Sequence, residues 1–194
     1  MTTQSGIAYS KLLNIGLAFA LIILGIVTIK KSLAAEAPYD VSGTGTITWV
    51  ADGDTVRVKV NETEAFAVLY AIASQEERNR QRSLQINKRF NTAEQTMLIR
   101  ISNIDTDESV HPDPSRNTAS GIRASDYAKR TFTGPVTFRC SDIGFYGRPI
   151  CSVAGANFGD WGIHMIEAGF TDYETRYGRH PFQHQAYLRA SSGQ

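Results

Sequence analysis

The sequence predicts an α+β domain whose strands form a small barrel, preceded by a single apolar N-terminal helix. Three observations carry this. Short β-rich runs stand at 46–60 and 96–104, with a further hairpin pattern between PVTFRC and ICSV. Helix-forming stretches are interleaved with them, the arrangement of a small sheet with helices packed on it. Ahead of all this lies LLNIGLAFALIILGIVTI at 12–29, with no charge inside it. The 194 residues suit one ordinary domain plus a short appendage.

The apolar run would span about 27 Å as a helix, close to the hydrocarbon thickness of a bilayer. Lys11 precedes it, and Lys30 and Lys31 follow. An uncleaved membrane anchor is the expectation. The alternative is a signal peptide cut after SLA, before Ala35, with the domain secreted. Basic residues on the Lys30–Lys31 side favour a cytoplasmic placement of that flank, against the expected periplasmic or extracellular placement of the domain. The expected organisation is an anchor segment at 1–35, a small, polar, turn-rich linker at 36–45, and a folded domain at 46–194.

Within the domain, TITWVADGDTVRVKV reads as two short strands joined through Asp52-Gly53-Asp54. Val56, Val58 and Val60 alternate with Thr55, Arg57 and Lys59, the period of a half-buried strand. The stretch at about 63–93 holds no Gly or Pro and is rich in helix formers, so it reads as a helical insertion with Thr63 as N-cap. Its arginines and lysine, from Arg78 to Arg89, suggest a solvated face, with a nucleic-acid contact surface as the second reading. TMLIRISNI is another strand. Helical spacing then runs over 120–132 and 160–170, the latter closed by Gly169, and Pro181 precedes a last helical pattern. Cys140 and Cys151 bracket the hairpin turn SDIGFYGRPI. They are either cross-strand disulfide partners, Cα atoms about 4.4–6.8 Å apart, or buried free thiols.

A composition of 20 Lys+Arg against 19 Asp+Glu leaves a net charge of +1, which neither demands nor excludes nucleic acid. The chemistry lies in three local segments. Asp54 shares the parity of Val56 and Val58, so it points to the apolar side, where an acid needs a cation. Arg100 stands on a strand running into Asp105-Thr106-Asp107-Glu108, a turn rich in the carboxylate and carbonyl oxygens that hard divalent ions take. At the hairpin, Tyr146-Gly147-Arg148 offers a guanidinium fork suited to phosphate.

In order and content, the segments DGDT, RxxxxDTxE, the helix at Gly121–Ala124, YGR and the helix ending Glu-Ala-Gly-Phe resemble the staphylococcal nuclease (thermonuclease) family over about 45–177. The resemblance implies a five-stranded OB-type barrel with packed helices. It implies a calcium-dependent nuclease, hydrolysing DNA or RNA. Asp54, Asp105 and the Thr106 carbonyl would be metal ligands, and Glu108 the group that orients or deprotonates the attacking water. Arg100 and Arg148 would clamp the phosphate, and Tyr146, Tyr173 and Tyr177 would contact the nucleotide. Three departures stand out: Asp107 replaces the usual proline of the acidic turn, the 61–95 stretch is longer than the family's turn, and the usual terminal tryptophan segment is missing. The rival reading is an OB-type nucleic-acid-binding domain that has lost catalysis. His180 and His184, four apart without an evident third ligand, read as surface histidines rather than a zinc pair.

Overall fold

The computed structural model describes residues 38–109 and 113–193. The apolar run at 12–29 lies outside them, and no helix among the described residues is long and apolar enough to cross a membrane. Five strands close into a barrel: β1 (Val41–Asp52), β2 (Thr55–Val60), β4 (Thr96–Ile101), β5 (Pro135–Ile143) and β6 (Pro149–Gly155). The order β4-β2-β1-β5-β6 is antiparallel throughout and is sealed by a parallel pairing of β4 with β6. Two-residue strands β3 (Phe90–Asn91) and β7 (Gly159–Asp160) extend its edges. The fold is thus a closed five-stranded mixed barrel with helices, consistent with an OB-like arrangement.

The expected linker is partly sheet, because Val41 to Gly45 pair with β5 from Cys140 to Val136. Alternation does the rest. Val56, Val58, Val60, Met97, Ile99 and Ile101 fill the barrel interior at 2 % exposure or less. One face therefore leaves water entirely, at roughly 1.5–3 kcal/mol per large side chain. Helix α3 (Ala119–Thr131) packs on β1, and its N-cap Thr118 accepts a hydrogen bond from the Gly121 amide. Helix α4 (Trp161–Glu167) begins at Asp160, whose carboxylate caps the Ile163 amide, and α5 (His184–Ser192) packs against it.

The insertion is helical, as expected, but it is broken in two. Helix α1 (Thr63–Asn79) stops early, and a short α2 (Ile86–Arg89) follows. Between them Gln81 and Gln85 take left-handed φ of 49° and 55°. Tertiary packing explains the break: Leu84 and Ile86 turn inward to 1 % and 5 % exposure, while Glu77 accepts the Leu84 amide. Thr63 is not the cap either. The cap residue is Glu62, whose carboxylate is held by the amide and hydroxyl of Thr44, while the Thr63 hydroxyl donates to Gln95.

Cys140 and Cys151 face each other across the β5–β6 ladder and are joined as a disulfide. Their Cα atoms are 3.9 Å apart, closer than the expected range. The two are directly opposed residues of one antiparallel pair, beside an irregularity in the ladder after Cys140.

Candidate active site

The site lies where the β1–β2 turn, the end of β4 and the β5–β6 turn meet. Asp54 is 5 % exposed and every oxygen of its carboxylate is engaged. Oδ1 accepts from the Thr55 hydroxyl at 2.9 Å; Oδ2 accepts from the Thr106 amide and hydroxyl at 3.1 and 3.2 Å and pairs with the Arg100 guanidinium. A buried carboxylate is tolerated only with such partners. Arg100 also donates to Asp105 at 2.6 Å and to the Ile104 carbonyl at 3.0 Å. Opposite strand parity of Arg100 and Asp105 required a bend. It is there: β4 ends at Ile101, and Asn103 takes a left-handed φ of 56°.

Arg148 reaches the same place from the other strand pair, its Nη1 donating to the Thr55 hydroxyl at 2.7 Å. Burial draws the guanidinium pKa of both Arg100 and Arg148 down, and their mutual repulsion adds to this at Arg100. At Arg148 the charges of Asp52, Glu108, Tyr146 and Asp105 act the other way. Glu108 is exposed and near enough for its charge to act on this guanidinium, yet among the described residues its carboxylate takes no hydrogen bond or ion pair. The backbone under Glu108 is fixed: its carbonyl accepts the Thr118 amide at 3.0 Å. Helix α3 comes so close that a Cβ on Gly121 would lie 2.2 Å from that carbonyl. Only glycine lets helix and acidic turn meet, which gives the Gly121 position its meaning. Asp107, standing where a proline was expected, accepts from the hydroxyls of Thr118 and Ser120, so the turn is tied to the helix through a side chain instead.

The five side chains Asp54, Arg100, Asp105, Glu108 and Arg148 thus meet at one mouth of the barrel. No protein-family model matches the chain, and no curated protein matches it. A reading of the site rests on this geometry and on the motifs.

One member went unnoticed in the sequence. Asp52, the first acid of the same turn, accepts the Asp54 amide, and burial raises its carboxyl pKa against the pull of Thr55, Arg100 and Arg148. Its shared parity with Asp54 was the available signal. As for metal, Asp54, Asp105 and the Thr106 carbonyl are hard oxygen donors of the kind calcium takes. Two carboxylates already share one cation, the Arg100 guanidinium. The described residues hold no group of three or more His, Cys, Asp or Glu spaced as ligands.

The tyrosines separate. Tyr146 is 60 % exposed beside Arg148, and Tyr177 is 89 % exposed. Tyr173 is half-buried, its hydroxyl accepting the His180 amide at 2.8 Å and lying 2.8 Å from His184 Nδ1, so it packs the C-terminal end. His180 is not a surface residue: it is 2 % exposed. Its Nδ1 accepts the amides of Phe182 and Gln183, which leaves Nε2–H to donate to Ser152 at 3.0 Å.

The insertion grips the turn that carries Arg148. Arg80 donates to the carbonyls of Ile143 and Gly144 at 2.8 and 3.0 Å, Arg82 to that of Phe145, and Arg89 to that of Tyr146 at 3.0 Å. Its arginines are therefore not a simple solvated face.

Proposed function

We propose that the protein is a metal-dependent phosphodiesterase that hydrolyses DNA, RNA or both. The observation that carries this is the convergence of Arg100 and Arg148 on one mouth with Asp54 and Asp105, where Glu108 keeps an unpaired carboxylate. Hydrolysis of a diester needs a positioned water, a base, and positive charge for the pentacoordinate phosphorus. Glu108 is the base, and being exposed and without a hydrogen-bond partner for its carboxylate among the described residues it is open to water and substrate. Arg148 has donors left over after its bond to Thr55, and these take the phosphate oxygens. Asp54, Asp105 and the Thr106 carbonyl would hold calcium, with Asp52 behind them. When bound, the ion supplies Lewis-acid charge beside the phosphate. Arg100 would then release part of its hold on the two acids and turn to the substrate. Tyr146 and Tyr177 are the exposed rings suited to the nucleotide. The Cys140–Cys151 disulfide supports an oxidising, extracytoplasmic setting for a membrane-anchored or secreted chain.

One observation favours a second reading. Arg100 bridges both acids, as it would in an OB-type nucleic-acid-binding domain that has given up its metal. Incubating the full chain with single- and double-stranded DNA and RNA, in calcium, magnesium or chelator, separates the two. Cleavage that the chelator abolishes supports the enzyme; binding without cleavage under every ion supports the binding domain.

A further inference from the structure

The positive charge of the mouth continues along the outer face of the sheet. Thr55 pairs with Arg100 and Arg57 with Leu98, while Val56, Val58, Met97 and Ile99 take the interior. Residues two apart on a strand share a face. Arg57 therefore lies on the same outer face as Thr55, the residue Arg148 donates to, and about 7 Å further along it. The insertion adds to this row: Phe90 pairs with Met97, which sets Arg89 beside it, near enough for Arg148 and Arg57 to repel its charge.

Each of these guanidiniums is hydrogen-bonded only to neutral oxygen. Arg57 donates to the Thr96 hydroxyl at 3.4 Å, Arg89 to the Tyr146 carbonyl at 3.0 Å and Arg148 to the Thr55 hydroxyl at 2.7 Å. Among the described residues none of the three forms an ion pair. Beside Arg57 the surface opens into a cavity of about 470 Å³ lined also by Asn87, Lys88, Asn91 and Thr92, with Glu94 as its acid. Like charges held together with no carboxylate bonded to them repel one another, and a bound polyanion relieves this.

We propose that Arg57, Lys88 and Arg89 form a second phosphate subsite, which holds the backbone of a polynucleotide whose scissile phosphate lies between Arg100 and Arg148. This rests on the phosphodiesterase reading and deepens it: the insertion lengthens the site from one phosphate to several. Contacts to phosphate alone carry no sequence information, so the subsite favours long chains without choosing among sequences.

Equilibrium binding of a long single-stranded oligonucleotide and of a dinucleotide to the full chain, in chelator and over a range of salt, tests this. Arg57→Ala and Lys88→Ala should each weaken the long oligonucleotide, with a salt slope shallower by about 0.7 per lost cation. Dinucleotide binding should hold, Arg57→Lys should restore the slope, and Lys129→Ala, at the exposed end of α3, should change neither. Parent-like slopes in both alanine variants overturn the subsite, as does an equal loss for the dinucleotide. Binding in chelator is read apart from hydrolysis, so a chain that shows this pattern but cleaves nothing in the calcium and magnesium incubations overturns the phosphodiesterase reading and keeps the subsite. A parent that binds neither oligonucleotide overturns the subsite.

Discussion

The mouth of the barrel and its C-terminal end both keep polar groups out of water, by opposite means. At the end, the buried groups are held by several neutral hydrogen-bonding partners at once. His180 takes two amides and gives one proton to Ser152, and Asp160 takes the Ile163 amide, the Tyr187 hydroxyl and the Gln183 amide group. At the mouth two carboxylates share one guanidinium, and valences are left over: among the described residues the Glu108 carboxylate takes no hydrogen bond, and Arg148 uses a single donor. A closed network holds a fold together, whereas an open one is available to a ligand. The same distinction assigns Tyr173 to the packing and Tyr146 to the surface.

The sharpest way to break that comparison is at Glu108. Glu108→Gln keeps shape and disturbs no hydrogen bond of the described residues, so thermal stability should hold while turnover falls by about two orders of magnitude or more. Arg148→Ala should lower turnover comparably and weaken binding as well. A stability loss in Glu108→Gln equal to the activity loss would place that residue in a closed network after all, as a melting curve beside a rate would show.

The closed end is probed by acid. Burial lowers the pKa of His180 from 6.5 to about 4, so the folded state resists a proton that the unfolded chain accepts. Its contribution is fully present above pH 6.5, declines as pH falls through the window down to about 4, and amounts to about 3 kcal/mol. Urea melts across that window should show the decline, and His180→Gln should flatten it. An unchanged pH profile in that variant would remove His180 from the network.

The smallest effect belongs to the insertion, which lies between the two cases because its arginines are charged while the turn they hold offers them neutral carbonyls. Arg80→Ala removes two bonds to backbone carbonyls and the half-exposed pair with Glu76, and should cost about 1–2 kcal/mol. Turnover should fall less than in Arg148→Ala, since the turn keeps its hold through Arg82 and Arg89. Hydrogen exchange at the 143–148 amides would read the loosening directly.

Much of the site was legible because its chemistry is local. DGDT, the acids after Arg100 and the YGR turn each place charge next to a strand end, and strand parity already required the bend found at Asn103. The barrel's strands were legible by alternation. What failed depends on distant partners. Nothing near Leu84 announces a helix break, because the cause is packing: a Cβ on Gly147, far along the chain, would lie 2.7 Å from the Leu84 carbonyl. Thr63 looked like a cap, but its hydroxyl donates to Gln95, and Glu62 before it turns its carboxylate to the distant Thr44. His180 looked like a surface residue until α5 folded over it. Asp52 was hidden by proximity, being read as turn chemistry for the aspartate beside it.

The barrel closes through a parallel seam of two residue pairs, Arg100 with Ile150 and Ile101 with Cys151, continued by the Ser102 amide bonding to Cys151. This shortest joint of the cylinder has Arg100 on one lip and Arg148, next to the first residue of β6, on the other. A molecule that parts there, like a zip easing at its end, separates these two guanidiniums while the longer antiparallel ladders stay fastened. Mild denaturant should therefore abolish the proposed phosphodiesterase activity before it melts the protein.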